Sequence, residues 1–258
     1  MEKAYLITEN TDLTKLKDQK EEIDRFYFWD AYCEHNLFYF LDNPSFVEAI
    51  VSLWKPLTLT TPLISNKNID RLMSFIKNWG ELPGFEVVVN DYWVFHYMKR
   101  DIKNIPVIWG NFLSWQNKDP YLKVFKDRDL HKRLSIDNDF YNDFFVENNI
   151  SLLEIYNVFQ WFESKQDYGL TLYYPYVVYS ENRYCTTKLI YDQKKYVTIV
   201  EECDGCRGKQ LPNLHMDLKM KEDSSKNFFR GNKQFYENKE LSIQDSRIRR
   251  TIYNYDLI

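Results

Sequence analysis

Glycine and proline are scarce in this 258-residue chain, at 7 and 8 residues. No Pro-, Gly- or Ser-rich linker divides it, so residues 1–258 read as one continuous domain. No internal repeat or low-complexity segment occurs either. A run of 18 apolar residues is missing, which excludes a transmembrane helix and a membrane partner. The N-terminus, MEKAYLITENTDLTKLKDQ, has no basic region followed by an apolar one, so it does not read as a secretory signal. A cytoplasmic protein is expected. A surplus of positive charge is also lacking: the net charge is −4 and the pI about 5.7, so no global basic field is available for nucleic acid. Neither a GxSxG nucleophile elbow nor an HExxH zinc motif is present.

Cysteine is rare as well, with four residues: Cys33, Cys185, Cys203 and Cys206. In a reducing compartment two disulfides are disfavoured. Buried thiols and a shared metal site remain. The pattern is Cys33, far upstream, followed by Cys185-x17-Cys203-x2-Cys206 inside the cysteine-rich segment 183–209. In CDGC the two intervening residues let both sulfurs converge on one metal edge, and Gly205 and Gly208 suit a tight turn. Four thiolates match tetrahedral zinc or a 4Fe–4S cluster. Arg183, Arg207 and Lys209 lie close enough in sequence to offset the accumulated negative charge. The other reading is that Cys33 and Cys185 are ordinary buried cysteines and the CxxC is incidental.

What the chain has in abundance is aromatic residues, 17% of the total, with 20 Tyr and 18 Phe. Its first half alternates strand-like and helix-like stretches. Arg25–Cys33, Pro56–Ile64, Phe85–Asp91 and Ile105–Asn111 read as extended. PSFVEAIVSLWK, Ser65–Glu81 and YWVFHYMKR read as helical, by apolar spacing and by Pro or a capping residue at the start. Further strand candidates are SLLEIYN, LTLYYPYVVYS, YVTIVEEC, FFRGNKQFY and RIRRTIYNY. The β-α-β-α order predicts an α/β fold with a parallel, TIM-barrel-like sheet, complete or incomplete. Such a fold carries its chemistry at the C-terminal strand ends. By this reading Cys33, Asn90, Asp91 and Asn111 end strands, and Cys185 follows one closely.

These stretches also carry a resemblance. In order along the chain they are TPLISNKNIDRL with FEVVVNDYWVFHYM; PVIWGNFLSWQNKDP; YPYVVYSENRYC with CDGC; and FFRGNKQFYENK with SRIRRTIYNY. Together the chain resembles the collagenase-like peptidase superfamily of TIM-barrel-like proteins, as a short single-domain member. That group includes ubiquinone-biosynthesis factors (UbiU- and UbiV-like) and RNA-hydroxylation proteins. The resemblance implies a 4Fe–4S cluster on Cys33, Cys185, Cys203 and Cys206, with zinc as the alternative. It implies a part in oxygen-independent hydroxylation. A non-catalytic partner of a homologous or other subunit, with a structural cluster or zinc, is the competing expectation, and a peptidase a third. Whether the substrate is a small molecule, a peptide or RNA stays open.

The remaining candidates each have a structural reading. Asn90 and Asp91 either bind substrate or cap the following helix. Arg230 and Asn232 either grip a carboxylate or form a surface turn around Gly231. His35 could stand near the metal site, and His215 follows the CxxC by nine residues. His96 is expected in the core; His131 has no supporting context. Arg183 could bind an anion or be exposed. The arginines of SRIRR are expected on a solvated face.

Overall fold

The computed structural model describes residues 1–8, 11–28, 33–123, 126–181, 227–230, 233–240 and 245–255. Eight parallel strands close into a barrel. In chain order they are β1 (Glu2–Ile7), β2 (Arg25–Phe28), β3 (Leu57–Thr60), β4 (Glu86–Val89), β5 (Val107–Trp109), β6 (Leu152–Tyr156) and β7 (Gly169–Tyr174), and last β11 (Ile248–Tyr253). Strand β11 pairs with β7 on one side and β1 on the other, with Glu2 opposite Arg250. The α/β barrel expected from the strand–helix alternation is therefore present, and closed. Three further strands, β8 (Tyr176–Glu181), β9 (Asn227–Arg230) and β10 (Lys233–Glu237), form a separate antiparallel sheet in the order β8-β10-β9.

Helices α1 (Leu13–Gln19), α2 (Glu34–Leu41), α3 (Pro44–Val51), α4 (Ile69–Trp79), α5 (Tyr92–Asp101) and α6 (Asp139–Glu147) fill the connections. Pro44 opens α3 behind Asn43, whose Oδ1 accepts from Phe46 N at 3.3 Å. Helix α4 repeats Ile69, Leu72, Met73 and Ile76 along one face, and all four are buried. Strand residues facing outward meet these helices through aromatic rings. Phe28 lies 5.5 Å from Trp79, and Trp109 lies 5.3–5.5 Å from Phe95, Phe144 and Phe145. Much of the aromatic surplus therefore lines the interface between barrel and helices.

Several elements depart from the sequence-based expectation. Strand β1 starts at the second residue, inside a stretch that looks merely polar. The described strand in the run from Arg25 is Arg25–Phe28, and Cys33, expected to end it, is the N-cap residue of α2. LTLYYPYVVYS is two strands, because Pro175, after a cis peptide bond, cannot donate to a ladder. Only β7 belongs to the barrel. YVTIVEEC lies outside the described residues.

Candidate functional site at the C-terminal end of the barrel

Side chains alternate along each strand, so every second residue points into the lumen. In most such barrels those positions are aliphatic. Here many are polar or charged and nearly all are buried: Arg25, Tyr27, Thr58, Thr60, Glu86, Glu154, Thr171, Tyr173 and Arg250. At the N-terminal end they form an ion-pair network. Arg25 Nε donates to Glu2 Oε1 at 2.9 Å, and Arg250 Nε donates to Glu2 Oε2 at 2.5 Å. Arg25 Nη1 reaches Glu86 Oε1 at 3.4 Å and donates to Thr58 Oγ1 at 3.3 Å and Gly84 O at 2.8 Å. Thr58 Oγ1 donates to Glu86 Oε1 at 2.7 Å, and Arg250 Nη1 donates to the same Glu86 oxygen and to Tyr27 OH. Two guanidiniums and two carboxylates thus neutralise one another, which makes the burial of Arg25, Glu86 and Arg250 tolerable; Glu2 is half-buried.

Glu154, in the middle of β6, is different. It is fully buried and has no direct cationic partner among the described residues. Tyr173 OH donates to its Oε1 at 2.9 Å, and Asn111 Nδ2 donates to its Oε2 at 3.2 Å. Burial pushes its carboxyl up to about 8, against the opposing pull of the hydrogen bonds from Tyr173 and Asn111 and of the Arg250 charge. At neutral pH the group is predominantly a protonated acid. Burial likewise raises the Tyr27 and Tyr173 phenols. The Tyr173 ring lies 5.2 Å from Tyr156 and 6.3 Å from Tyr27, so the three tyrosine rings pack against one another inside the barrel.

The rim is held by side-chain amides. Asn90, buried at the end of β4, donates from Nδ2 to Thr61 O at 3.1 Å and accepts at Oδ1 from Phe112 N at 3.2 Å. It joins the turns that follow β3 and β5. Gln116 brackets Tyr156, accepting from its N at 2.8 Å and donating to its O at 3.0 Å. Asn254 does the same to Tyr176, while Asn157 and Asn238 each donate to the other's backbone carbonyl. These clamps tie the antiparallel sheet to the barrel mouth. Lys233 of β10 is buried there with its ammonium 3.9 Å from the Phe112 ring centre. Between Ser114 and Gln116, Trp115 is held at φ 54° with its side chain exposed, an uncommon backbone state for a bulky residue.

The sequence-derived candidates are dispersed. Asp91 caps α5: Oδ1 accepts from Trp93 N at 2.7 Å and Oδ2 from Ile64 N at 3.4 Å. Asn90 lies at the mouth with its amide engaged at both ends. Arg230 ends β9 opposite Lys233, so two residues, Gly231 and Asn232, connect β9 to β10. Asn232 is outside the described residues. Cys33 is half-buried against the core, just after β2, at the C-terminal face. The next residue, Glu34, is buried. Its Oε2 accepts from Ser65 N and Asn68 Nδ2 at 2.8 and 3.2 Å, and its Oε1 has no partner among the described residues. Cys185, Cys203 and Cys206 lie outside the described residues, as do Arg183 and His215. Strand β8, which ends four residues before Cys185, leaves the barrel at this same C-terminal face. Among the described residues, no three His, Cys, Asp or Glu side chains form a group able to hold a metal.

His35 is half-buried, on α2 two residues from Cys33. His96 is exposed on α5, not in the core. His131 is exposed, with Nδ1 2.9 Å from Asn117 Nδ2. Of the SRIRR arginines, Arg249 is exposed and Arg247 pairs with Asp245 at 2.8 Å, but Arg250 points into the lumen. Glu154, Tyr173, Thr171, Thr60 and Trp115 were not among the sequence-derived candidates. For Glu154 a signal existed: a lone charge between apolar neighbours in LLEIY, the same pattern as Glu86 in FEVVV.

Comparisons with protein-family models, with curated proteins and with solved structures return no match for this chain. Among the described residues, no helix is long and apolar enough to cross a membrane.

Proposed function

We propose that this chain is an iron–sulfur barrel protein taking part in a modification reaction, an oxygen-independent hydroxylation. Cys33, Cys185, Cys203 and Cys206 would hold a 4Fe–4S cluster at the C-terminal face. One observation carries the reading. Cys33 is a half-buried thiol at the N-cap of α2, five residues past the end of β2, on the face from which β8 leads into the segment with the other three cysteines. That is the end of a barrel at which chemistry is placed. A bound cluster supplies one-electron chemistry there. The chain's own residues would orient a substrate at the mouth and exclude water. The Asn90, Gln116 and Asn157–Asn238 clamps hold the rim, and Tyr156 and Tyr173 wall the entrance.

The test is iron and acid-labile sulfide analysis, with an absorption spectrum, on protein purified without oxygen. The expected result is about four iron and four sulfide per chain, lost in Cys33→Ser and in Cys203→Ala. One zinc per chain and no colour would instead make the site structural and the protein a scaffold or partner subunit. Absence of any metal would end the cluster reading.

A further inference from the structure

Among the described residues, four of the eleven exposed large apolar side chains sit on two neighbouring helices. They are Tyr92 and Trp93 on α5 and Phe140 and Val146 on α6, at 46–72% exposure. Single exposed apolar residues are ordinary, whereas a cluster of them marks an interaction surface. The two helices lie side by side and in register. Tyr92 OH is 3.1 Å from Tyr141 OH, the Phe95 ring is 5.4 Å from Phe144, and Lys99 Nζ donates to Asn148 O. The partners in each pair are 49 residues apart, so both helices run in the same direction at the same height.

The outer ridges of the two helices share one spacing, i, i+3, i+7. On α5 the ridge reads Trp93, His96, Arg100; on α6 it reads Phe140, Asp143, Glu147; all six are exposed. Their charges are opposite. Helix α6 carries the carboxylates of Asp139, Asp143 and Glu147 and no cation. Helix α5 carries Lys99, Arg100 and His96 against one carboxylate, Asp101. Arg100 pairs with Asp101 through Nε and Nη2 at 2.7 and 2.8 Å, and its fork has a third nitrogen to offer. Each ridge thus begins with an aromatic ring and ends with a charge, cationic on α5 and anionic on α6.

We infer that the α5–α6 face binds a second copy of this chain. A two-fold axis running along the groove between the helices lays α5 of each copy on α6 of the other, and every contact occurs twice. By the 49-residue register, Trp93 then meets Phe140, His96 meets Asp143, and Arg100 meets Glu147. Each pair is offset by two residues, about 3 Å along the axis, which side chains of this length span. Laying α6 on its own copy would instead set carboxylates against carboxylates. The patch is small, because ten residues of helix run about 15 Å and packed helices lie about 10 Å apart. That is below the roughly 800 Å² per partner of a standard interface, so the dimer is a weak one, with a Kd on the order of 10 μM. The face uses none of the cysteines, so it stands or falls independently of the cluster.

The test is sedimentation velocity on the full chain, from about 1 to 300 μM, spanning the expected Kd, with a thiol reductant present so that cysteine cross-links do not count. A monomer–dimer equilibrium is expected. Trp93→Ala should weaken it about tenfold or more, as loss of a central aromatic anchor does. Arg100→Glu and Glu147→Arg should each weaken it, because each sets like charges against one another. The two together in one chain should restore it, because the swapped pair is again complementary. All three side chains are exposed, so the variants should keep the wild-type circular dichroism. A chain that stays monomeric throughout would overturn the proposal and leave the face to a different protein. So would a dimer indifferent to Trp93→Ala, or one that the double reversal fails to restore.

Discussion

A carboxyl group inside a barrel must give up either its charge or its isolation. Glu2 and Glu86 take arginine partners; Glu154 has no cation beside it among the described residues, and burial pushes its carboxyl up to about 8. This has a consequence for stability. The folded state holds the Glu154 proton up to about pH 8, whereas the unfolded chain releases it near 4.5. Between those values the folded state binds more protons, so stability falls as pH rises, by up to about 1.4 kcal/mol per pH unit from this group. Above about 8 both states are ionised and the contribution levels off. Glu154→Gln should remove this slope, so that the variant gains on the wild type from pH 5 to 8. Urea unfolding at four or five pH values measures it directly. Parallel curves would show that Glu154 is not the titrating group.

Among the elements, the turn after β5 is the most constrained. Gly110 packs so closely that a Cβ there would lie 2.1 Å from Asn90 Oδ1 and 2.6 Å from Val89 O. Only glycine lets the Asn90 amide reach Phe112 N and join the turns after β3 and β5. Gly110→Ala should displace that amide. A cost of about 2–3 kcal/mol in a denaturant midpoint is expected, from overpacking plus a lost buried hydrogen bond. An unchanged midpoint would mean that the mouth is softer than its packing indicates. The same turn carries Asn111, Trp115 and Gln116, so one short segment supplies both the amide that holds Glu154 Oε2 and the one that brackets Tyr156. The small sheet β8-β10-β9 depends on the barrel for its position, through Asn157, Asn238 and Asn254.

For the whole molecule, the decisive act is closure. Strand β1 at one end of the chain pairs with β11 at the other, and beneath that seam Arg250 bridges Glu2 on β1 and Glu86 on β4. The network therefore spans the lumen rather than decorating a surface. Arg250→Met would leave the buried Glu86 and the half-buried Glu2 to share one guanidinium. Removing one partner of a buried set typically costs about 3–5 kcal/mol. A large fall in the urea midpoint, little altered by 1 M salt, is expected, because buried charges are weakly screened. A loss below about 1 kcal/mol would place Arg250 in the class of exposed ion pairs.

The order of elements was legible in the sequence because it rests on local signals. Period-3.6 spacing marks α4, Pro44 marks the start of α3, and the apolar runs mark β4 and β5. Since βα alternation leads to a parallel sheet, the barrel class followed, as did Asp91 in its capping role. The first strand, the split at Pro175, and the fate of Arg250 did not follow. Whether a strand residue faces the lumen or a helix depends on register and closure, which are set by pairings between residues far apart in the chain. RIRRTIY reads as a solvated basic strand until β11 joins β1 and turns one arginine inward. Local patterning alone thus determined the barrel class. The convergence of Glu154, Tyr173 and Asn111, from three separate segments, was decided by the closed barrel, because only closure removes the water that would otherwise keep Glu154 charged.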